Sequence, residues 1–435
     1  FANTTGTNNT AIGRLALDAN TTANNNTAIG ALALDNNTTG ESNTSVGVSA
    51  LRQNTTASNN TGLGKSALTA NTTGTRNTAV GSLALDANTT ADRNTAVGFN
   101  TLTTNTTGSY NTCIGDAALE DNTEGHNNVA IGQAALVENT TGDNNTAVGT
   151  FALDANTTAS NNVAFGVAAL GANTTATNNS GIGNLALTTN TTGAGNTGVG
   201  SQALFSNTTA SDNTAVGYNA LLSNTTGSQN TAVGNFALDA NTTSGDQTAV
   251  GYNALSNTTG SQCTALGNNA GFRNTTGGNN TYLGRIAGFS TGQTGSNNTY
   301  IGYNSQGTSD STSNEIILGD ANIAVIRCNQ TSLSGLSDRR DKTEIVEIPA
   351  GLNFINKLKP VKFKWQTREG TSQDGKIRAG FIAQDLQEAQ IGNEYLNLVY
   401  DENPDKLNAT QGNLLPVLVK AIQELSAKVT ALEAA

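Results

Sequence analysis

Apolar residues along most of this chain come in short groups separated by polar, turn-forming stretches, and the groups repeat. One apolar residue directly precedes a glycine, as at Ile12, Ile29, Val46, Leu63, Val80, Val97, Ile114, Ile131, Val148 and Phe165. Four residues after that glycine comes a leucine, normally behind an alanine: Leu17, Leu34, Leu51, Leu68, Leu85, Leu102 and Leu119, onward to Leu255. Short β-branched runs punctuated by Gly and Asn predict strands of about four to six residues joined by tight turns. The apolar residue before the glycine and the leucine after it are the candidate core. A helix needs at least about ten residues of 3.6 periodicity, and no repeat has room for one.

The glycines set the period. They fall at Gly13, Gly30, Gly47 and every seventeenth residue to Gly251, continue after one deletion at Gly267 and Gly284, and loosen at Gly302 and Gly319. Each sits in a unit close to N-T-A-V-G-x-x-A-L-x-x-N-T-T-G-x-x. A fixed short period marks a solenoid whose units stack on one another. The expectation is an all-β parallel solenoid shaft over residues 1–320, one 17-residue repeat per turn. At about 4.8 Å per turn, some nineteen turns make a rod of roughly 90 Å. So few large side chains per turn make a lone rod thin. Chains are therefore expected to pack along their length, three being the expected number.

N-T-T recurs sixteen times, from Asn3 to Asn274, with N-T-E at Asn122. Asparagine bonds its own chain in turns, and identical stacked asparagines form ladders. Each copy is also formally a glycan acceptor, a role restricted to a secretory host.

Charge is placed unevenly. Residues 1–320 hold 7 Lys+Arg against 18 Asp+Glu, while residues 321–435 hold 14 of each. An acidic rod lacks the clustered cations that phosphate binding needs, so no nucleic-acid partner is expected. No apolar run is long enough to span a membrane. No signal peptide is visible and the chain opens on Phe1, which reads as a trimmed or partial chain. Cys113, Cys263 and Cys328 read as isolated substitutions. With one histidine and no Cys/His cluster, no metal or other cofactor is expected.

Over residues 9–305 the repeat resembles the heads of trimeric autotransporter adhesins, whose shorter unit also carries an apolar-Gly pair followed by small residues. That resemblance implies a left-handed parallel β-roll packed as a homotrimer.

After Gly319 the pattern changes, and residues 321–336 read as a linker. From Ser337 the chain runs SDRRDKTEIVEIPAGLNFINKLKPVKFKWQTREG, then KIRAGFIAQDLQEA, then LLPVLVKAIQELSAKVTALEAA. Val361, Phe363 and Trp365 alternate with Lys362 and Lys364, a strand with one buried and one wet face. In the predicted helix 414–435, Leu415, Leu418, Ile422, Leu425, Val429 and Leu432 are spaced 3-4-3-4-3. That spacing is the seam of a short coiled coil, or one face of an amphipathic helix docked on its own domain.

Residues 337–435 resemble the peptidase S74 domain, the intramolecular chaperone of phage tail spikes and fibres. The resemblance lies in Ser-Asp-x-Arg-x-Lys, the L-x-x-L-x-P-V-x-F-x-W strand, G-F-I-A-Q and the closing helix. It implies a small α+β domain that trimerises a β-rich fibre and cuts itself off. Ser337 would be the nucleophile at the Leu336–Ser337 bond and Lys342 its general base. A lysine serves so only when burial or neighbouring cations lower its proton affinity, and Arg339 and Arg340 stand near in sequence. The same residues can also merely cap the following segment. The expected protein is an extracellular homotrimeric fibre, of a virion or a bacterial surface, with a cell-surface receptor or glycan as partner. A polysaccharide-degrading tail spike is the alternative, which needs paired carboxylates that the repeats do not supply at fixed positions.

Overall fold

The computed structural model describes residues 2–289, 292–307, 309–320, 322–323, 339–364, 376–401 and 407–434. Two compact units divide the chain: residues 1–305 with 313–317, and residues 306–312 with 318–435.

The first unit is a parallel β-solenoid of about eighteen turns. Its strands run from β1 (Thr10–Ile12) and β2 (Thr27–Ile29) to β18 (Thr299–Ile301) and β19 (Ile316–Leu318), in one 19-stranded sheet. Pairing is in register, repeat against repeat, as in Thr27↔Thr44, Ala28↔Ser45 and Ile29↔Val46. The strands have three residues rather than four to six, and this reverses one expectation. Side chains alternate across a strand, so only the middle residue points inward. Ala28, Ala79 and Ala96 are fully buried, whereas the apolar residue before the glycine faces out: Ile12 is 59% exposed, Leu63 44% and Phe165 56%. The buried section of a turn is Ala28, Ala33 and Leu34, two alanines and a leucine in a coil too narrow for more.

The turns are drawn tight at the glycines and the leucines. Gly81 has φ +141°, and a Cβ there would lie 2.1 Å from the carbonyl oxygen of Gly98. Leu17 and Leu34 adopt φ of 54° and 51°. A left-handed conformation costs a leucine roughly 1–2 kcal/mol. Complete burial and a backbone bond to the next turn, Leu34 N–H to Ala50 O at 3.0 Å, offset that cost.

Two buried asparagine ladders seal the corners. In the first, Asn37 Nδ2 donates to Asn20 Oδ1 one turn back (3.2 Å) and to Gly40 O (2.9 Å); Asn54 and Asn88 repeat the pattern. The N-T-T asparagines from Asn20 to Asn241 are thus fully buried, and ladder formation occupies the groups that glycan attachment would need. The second ladder lies just before each strand. Asn43 accepts through Oδ1 from the Asn60 backbone N–H (2.9 Å) and donates through Nδ2 to Ala57 O (2.9 Å). A third, more exposed column caps backbone N–H groups with Asp92, Ser109, the lone His126 and Asp143. The histidine is thereby a structural acceptor.

Irregularities are absorbed locally. At the one-residue deletion Thr248 pairs with Thr264, Thr258 takes the ladder position and receives Asn274 Nδ2 (2.9 Å), and Asn257 is turned out to solvent. Cys113 replaces an inward alanine and Cys263 a ladder asparagine; both are buried free thiols, and desolvation pushes both up from the usual thiol range. Farther on, Tyr282 and Tyr300 take inward strand positions and stack at 5.4 Å and 11°. Opposite Tyr282 the core leucines become Gly271 and Gly288, where a Cβ would meet the Tyr282 ring at 2.7 and 2.3 Å.

The second unit holds two antiparallel pairs, β20 (Val361–Lys364) with β21 (Ile377–Gly380) and β22 (Val399–Tyr400) with β23 (Asn408–Ala409). Its helices are α1 (Leu352–Ile355), α2 (Ala383–Ala389) and α3 (Leu415–Glu433). Along β20, half-buried Val361 and Phe363 alternate with exposed Lys362 and Lys364; Trp365 lies outside the described residues. The core gathers Ala350, Phe354, Leu386, Leu398, Leu414 and Val417.

Candidate functional site

The segment that would carry self-cleavage belongs to the second unit. Leu336 and Ser337 lie outside the described residues, as does most of the 321–336 linker. A 3-10 turn, Arg339–Asp341, comes next and ends with Lys342 N–H donating to Arg339 O at 3.3 Å. Lys342 is exposed, on the wall of a depression of about 530 Å³ that also involves Ile345, Val346, Pro349 and Tyr395. Ile345 and Val346 are 53% and 82% exposed. Within one chain, the Lys342 side chain is therefore not buried.

The stretch from Glu347 to Leu352 is fixed to α3. Lys420 Nζ meets Glu347 Oε2 at 3.0 Å, and that carboxylate holds the Lys420 ammonium above the usual lysine range. One turn on, Glu424 Oε2 accepts the Leu352 backbone N–H at 2.8 Å, capping the start of α1. A Cβ on Gly351 would lie 2.3 Å from Glu424 Oε1, so a side chain there would push the carboxylate off this position. A charge-assisted bond to an N–H at a helix start is among the stronger polar contacts. These anchors were not singled out by sequence reasoning. The signal available was the Lys420/Glu424 pair, one helical turn apart on α3.

The last helix docks on its own unit, but through a different face from the 3-4-3-4-3 stripe that sequence reading offered for docking. Val417 (0% exposed) and Ala421 (5%) dock α3 on its own unit, with Leu414 just before it. The 3-4-3-4-3 residues are left out: exposure runs from 42% at Leu418 to 78% at Leu432. Pro416 in the first turn suits the helix start, where its missing N–H is not needed. Together Leu415, Val419 and the stems of Lys420 and Gln423 wall a groove beside Glu347 and Ile348.

With this geometry in hand, comparison with known families is specific. Residues 337–395 match the peptidase S74 family model, the chaperone of endosialidase. No curated protein and no solved structure matches the chain. The matched stretch begins at the proposed nucleophile and covers the S74 segment as far as Tyr395. A solenoid joined to such a domain fits a fibre of the tail-fibre or tail-spike kind. Among the described residues no helix is long and apolar enough to cross a membrane, and no cluster of His, Cys, Asp and Glu suits a metal ion.

Proposed function

We propose that the chain is the shaft of an extracellular homotrimeric fibre, on a virion or a bacterial surface, assembled by its C-terminal chaperone domain. The observation that carries this reading is the division of labour on α3. One face is used up by its own unit, while six apolar residues at heptad spacing stay exposed. An apolar stripe of that length at solvent marks an interface. The outward row on the solenoid sheet, from Ile12 through Leu63 and Phe165 to Leu283, extends the same argument along the rod. The fibre's partner is a cell-surface receptor or glycan.

Assembly also supplies what Lys342 lacks. Packing of neighbouring copies over the exposed 342–349 segment would bury the lysine and couple cleavage to trimer formation. Ser337 Oγ attacks the Leu336 carbonyl carbon as Lys342 takes the hydroxyl proton. The bond to the Ser337 nitrogen breaks as Lys342 returns that proton to the leaving amine, and water hydrolyses the resulting ester to free the Leu336 carboxylate and the Ser337 hydroxyl.

Sedimentation of the full chain tests the reading. The mass expected is that of a trimer, three times 44.3 kDa before cleavage and correspondingly less once residues 337–435 are released, with Ile422→Asp/Leu425→Asp giving folded monomers. A wild-type monomer that is stable and folded would overturn it.

A further inference from the structure

One corner of the solenoid changes chemistry while its frame does not. The two residues after the repeat glycine form the outward corner of each turn. In most early turns they are a mixture, such as Val48-Ser49, Lys65-Ser66 or Asp116-Ala117. Over three successive turns after Gly217 they become Tyr218-Asn219, Asn235-Phe236 and Tyr252-Asn253, and Tyr303-Asn304 repeats the pair farther on. The core runs through unchanged, with Ala220-Leu221, Ala237-Leu238 and Ala254-Leu255 fully buried, and so do the ladder residues Asn224 and Asn241; only in the Tyr252 turn does the one-residue deletion put Thr258 in the ladder. The switch begins at Tyr218, two turns before that deletion, so the frame does not call for it.

Parallel stacking turns that sequence into a checkerboard of three rings and three amides. Tyr218 and Phe236 meet edge to face at 5.4 Å and 89°, and Phe236 and Tyr252 at 6.2 Å and 88°. The tyrosines are nevertheless 45% and 49% exposed. Asn235 lies between them in the same column, is exposed, and fixes the corner by accepting the Tyr218 N–H (3.2 Å). Asn219, beside Tyr218, is 9% exposed with its Oδ1 buried, so the amide that stands open to a ligand between the two tyrosines is that of Asn235. None of the six is charged.

We infer that this corner is a binding platform for a neutral, extended polysaccharide lying along the rod. Aromatic faces accept the apolar C–H face of a pyranose, and amides offer both donor and acceptor to its hydroxyls. Few placed polar groups beside aromatic surface is the make-up of a ligand site. The tyrosines are two turns apart, about 10 Å at the interstrand spacing. An extended β-linked glycan presents every second sugar in the same orientation over a similar length, so one chain can set equivalent rings on both. The absence of charge selects neutral over acidic glycans. The inference rests on the reading of the rod as a fibre that meets a surface.

Native gels of the full-length chain containing hydroxyethylcellulose, galactomannan, xylan or dextran, with alginate as the acidic comparison, test it. Retardation is expected in at least one neutral gel and not in alginate. Tyr218→Ala/Tyr252→Ala should weaken it at least tenfold, and Tyr218→Leu/Tyr252→Leu, which keeps bulk at the corner, should do the same. Phe99→Ala, an equally exposed ring at the same corner with no ring beside it in the adjacent turns, should change nothing. Retardation in none of the neutral gels, or undiminished in both tyrosine variants, overturns the inference. So does a change of sedimenting mass in those variants, which would assign the rings to contacts between copies. Because the fibre reading is judged by the mass of the wild-type chain, a trimer that is not retarded refutes the platform alone.

Discussion

The tyrosine exchange near the end of the solenoid makes a quantitative test of how its interior is filled. In most turns the inward strand residue is alanine and the corner residue is leucine; Tyr282 instead faces glycines at 271 and 288. Tyr282→Ala should cost about 3–5 kcal/mol, the usual loss for deleting a buried ring, including its stacking on Tyr300. Gly271→Leu and Gly288→Leu should each cost about 1–3 kcal/mol through overpacking, because the new Cβ would sit 2.7 or 2.3 Å from the ring. Of that, roughly 1–2 kcal/mol is the left-handed backbone, a cost that Leu255 already bears, at φ 50°, in the equivalent position of a consensus turn. If the sites were independent, the triple variant would lose about 5–11 kcal/mol. If one ring does the work of two leucines, the triple variant restores the consensus turn and stays within about 2 kcal/mol of wild type. Solenoids lose cooperativity along their length, so a global melt is a poor reporter. Amide exchange at Thr281, Leu283 and Thr299 reads the affected turns directly. A triple variant no better protected than the sum of its parts would refute the reasoning.

Ladder positions should separate cleanly from the one asparagine that the deletion expels. Asn88→Ala strands Asn71 Oδ1, leaves Ala91 O with only the Asn77 Nδ2 donor and Asn105 Nδ2 with only Gly108 O, so a loss of about 1–3 kcal/mol is expected; Asn257→Ala, which gives up one exposed bond to Phe272 O, should cost under about 1 kcal/mol, both read by local amide exchange. Desolvation raises the carboxyls of Asp86, Asp154 and Asp239 above the usual range, so their ionised forms oppose folding at neutral pH. Replacing all three with Asn should strengthen amide protection in the turns that carry them at pH 7, and the gain should shrink as the pH falls through the raised values and the wild-type groups protonate. On denaturing gels, wild type should release a 99-residue fragment that begins at Ser337, counting 337 to 435, while Ser337→Ala and Lys342→Ala should stay full length. Wild type remaining full length after assembly would make the domain a retained cap.

The period, the glycine register and the leucine core are readable from the sequence because repetition averages out local exceptions. Which strand residue points inward is not. Valine and isoleucine are the residues expected inside, yet a three-residue strand buries only its middle, and the coil is narrow enough that alanine suffices. The left-handed leucines are hidden for a related reason: leucine does not favour that conformation, and only bonds to the next turn sustain it. The second asparagine ladder was in view as the first letter of N-T-A-V, but reads as a strand boundary until neighbouring turns are stacked. In the C-terminal unit, heptad spacing identified the exposed face of α3. The docking face, built on Val417 and Ala421, gives too short a pattern to be seen in advance.

The backbone bonds that stack the turns run along the rod, since each strand pairs only with those before and after it. An axial pull therefore loads those bonds head-on, about eight or more per turn, and opens the rod one turn at a time. Each turn that opens exchanges about 4.8 Å of rod for seventeen residues of chain, roughly 55–60 Å when extended. Every ladder that holds the rod straight at rest is thus also a stop in a long, stepwise extension. Under a tearing load the rod lengthens as a tether, giving up single turns while the rest stay folded.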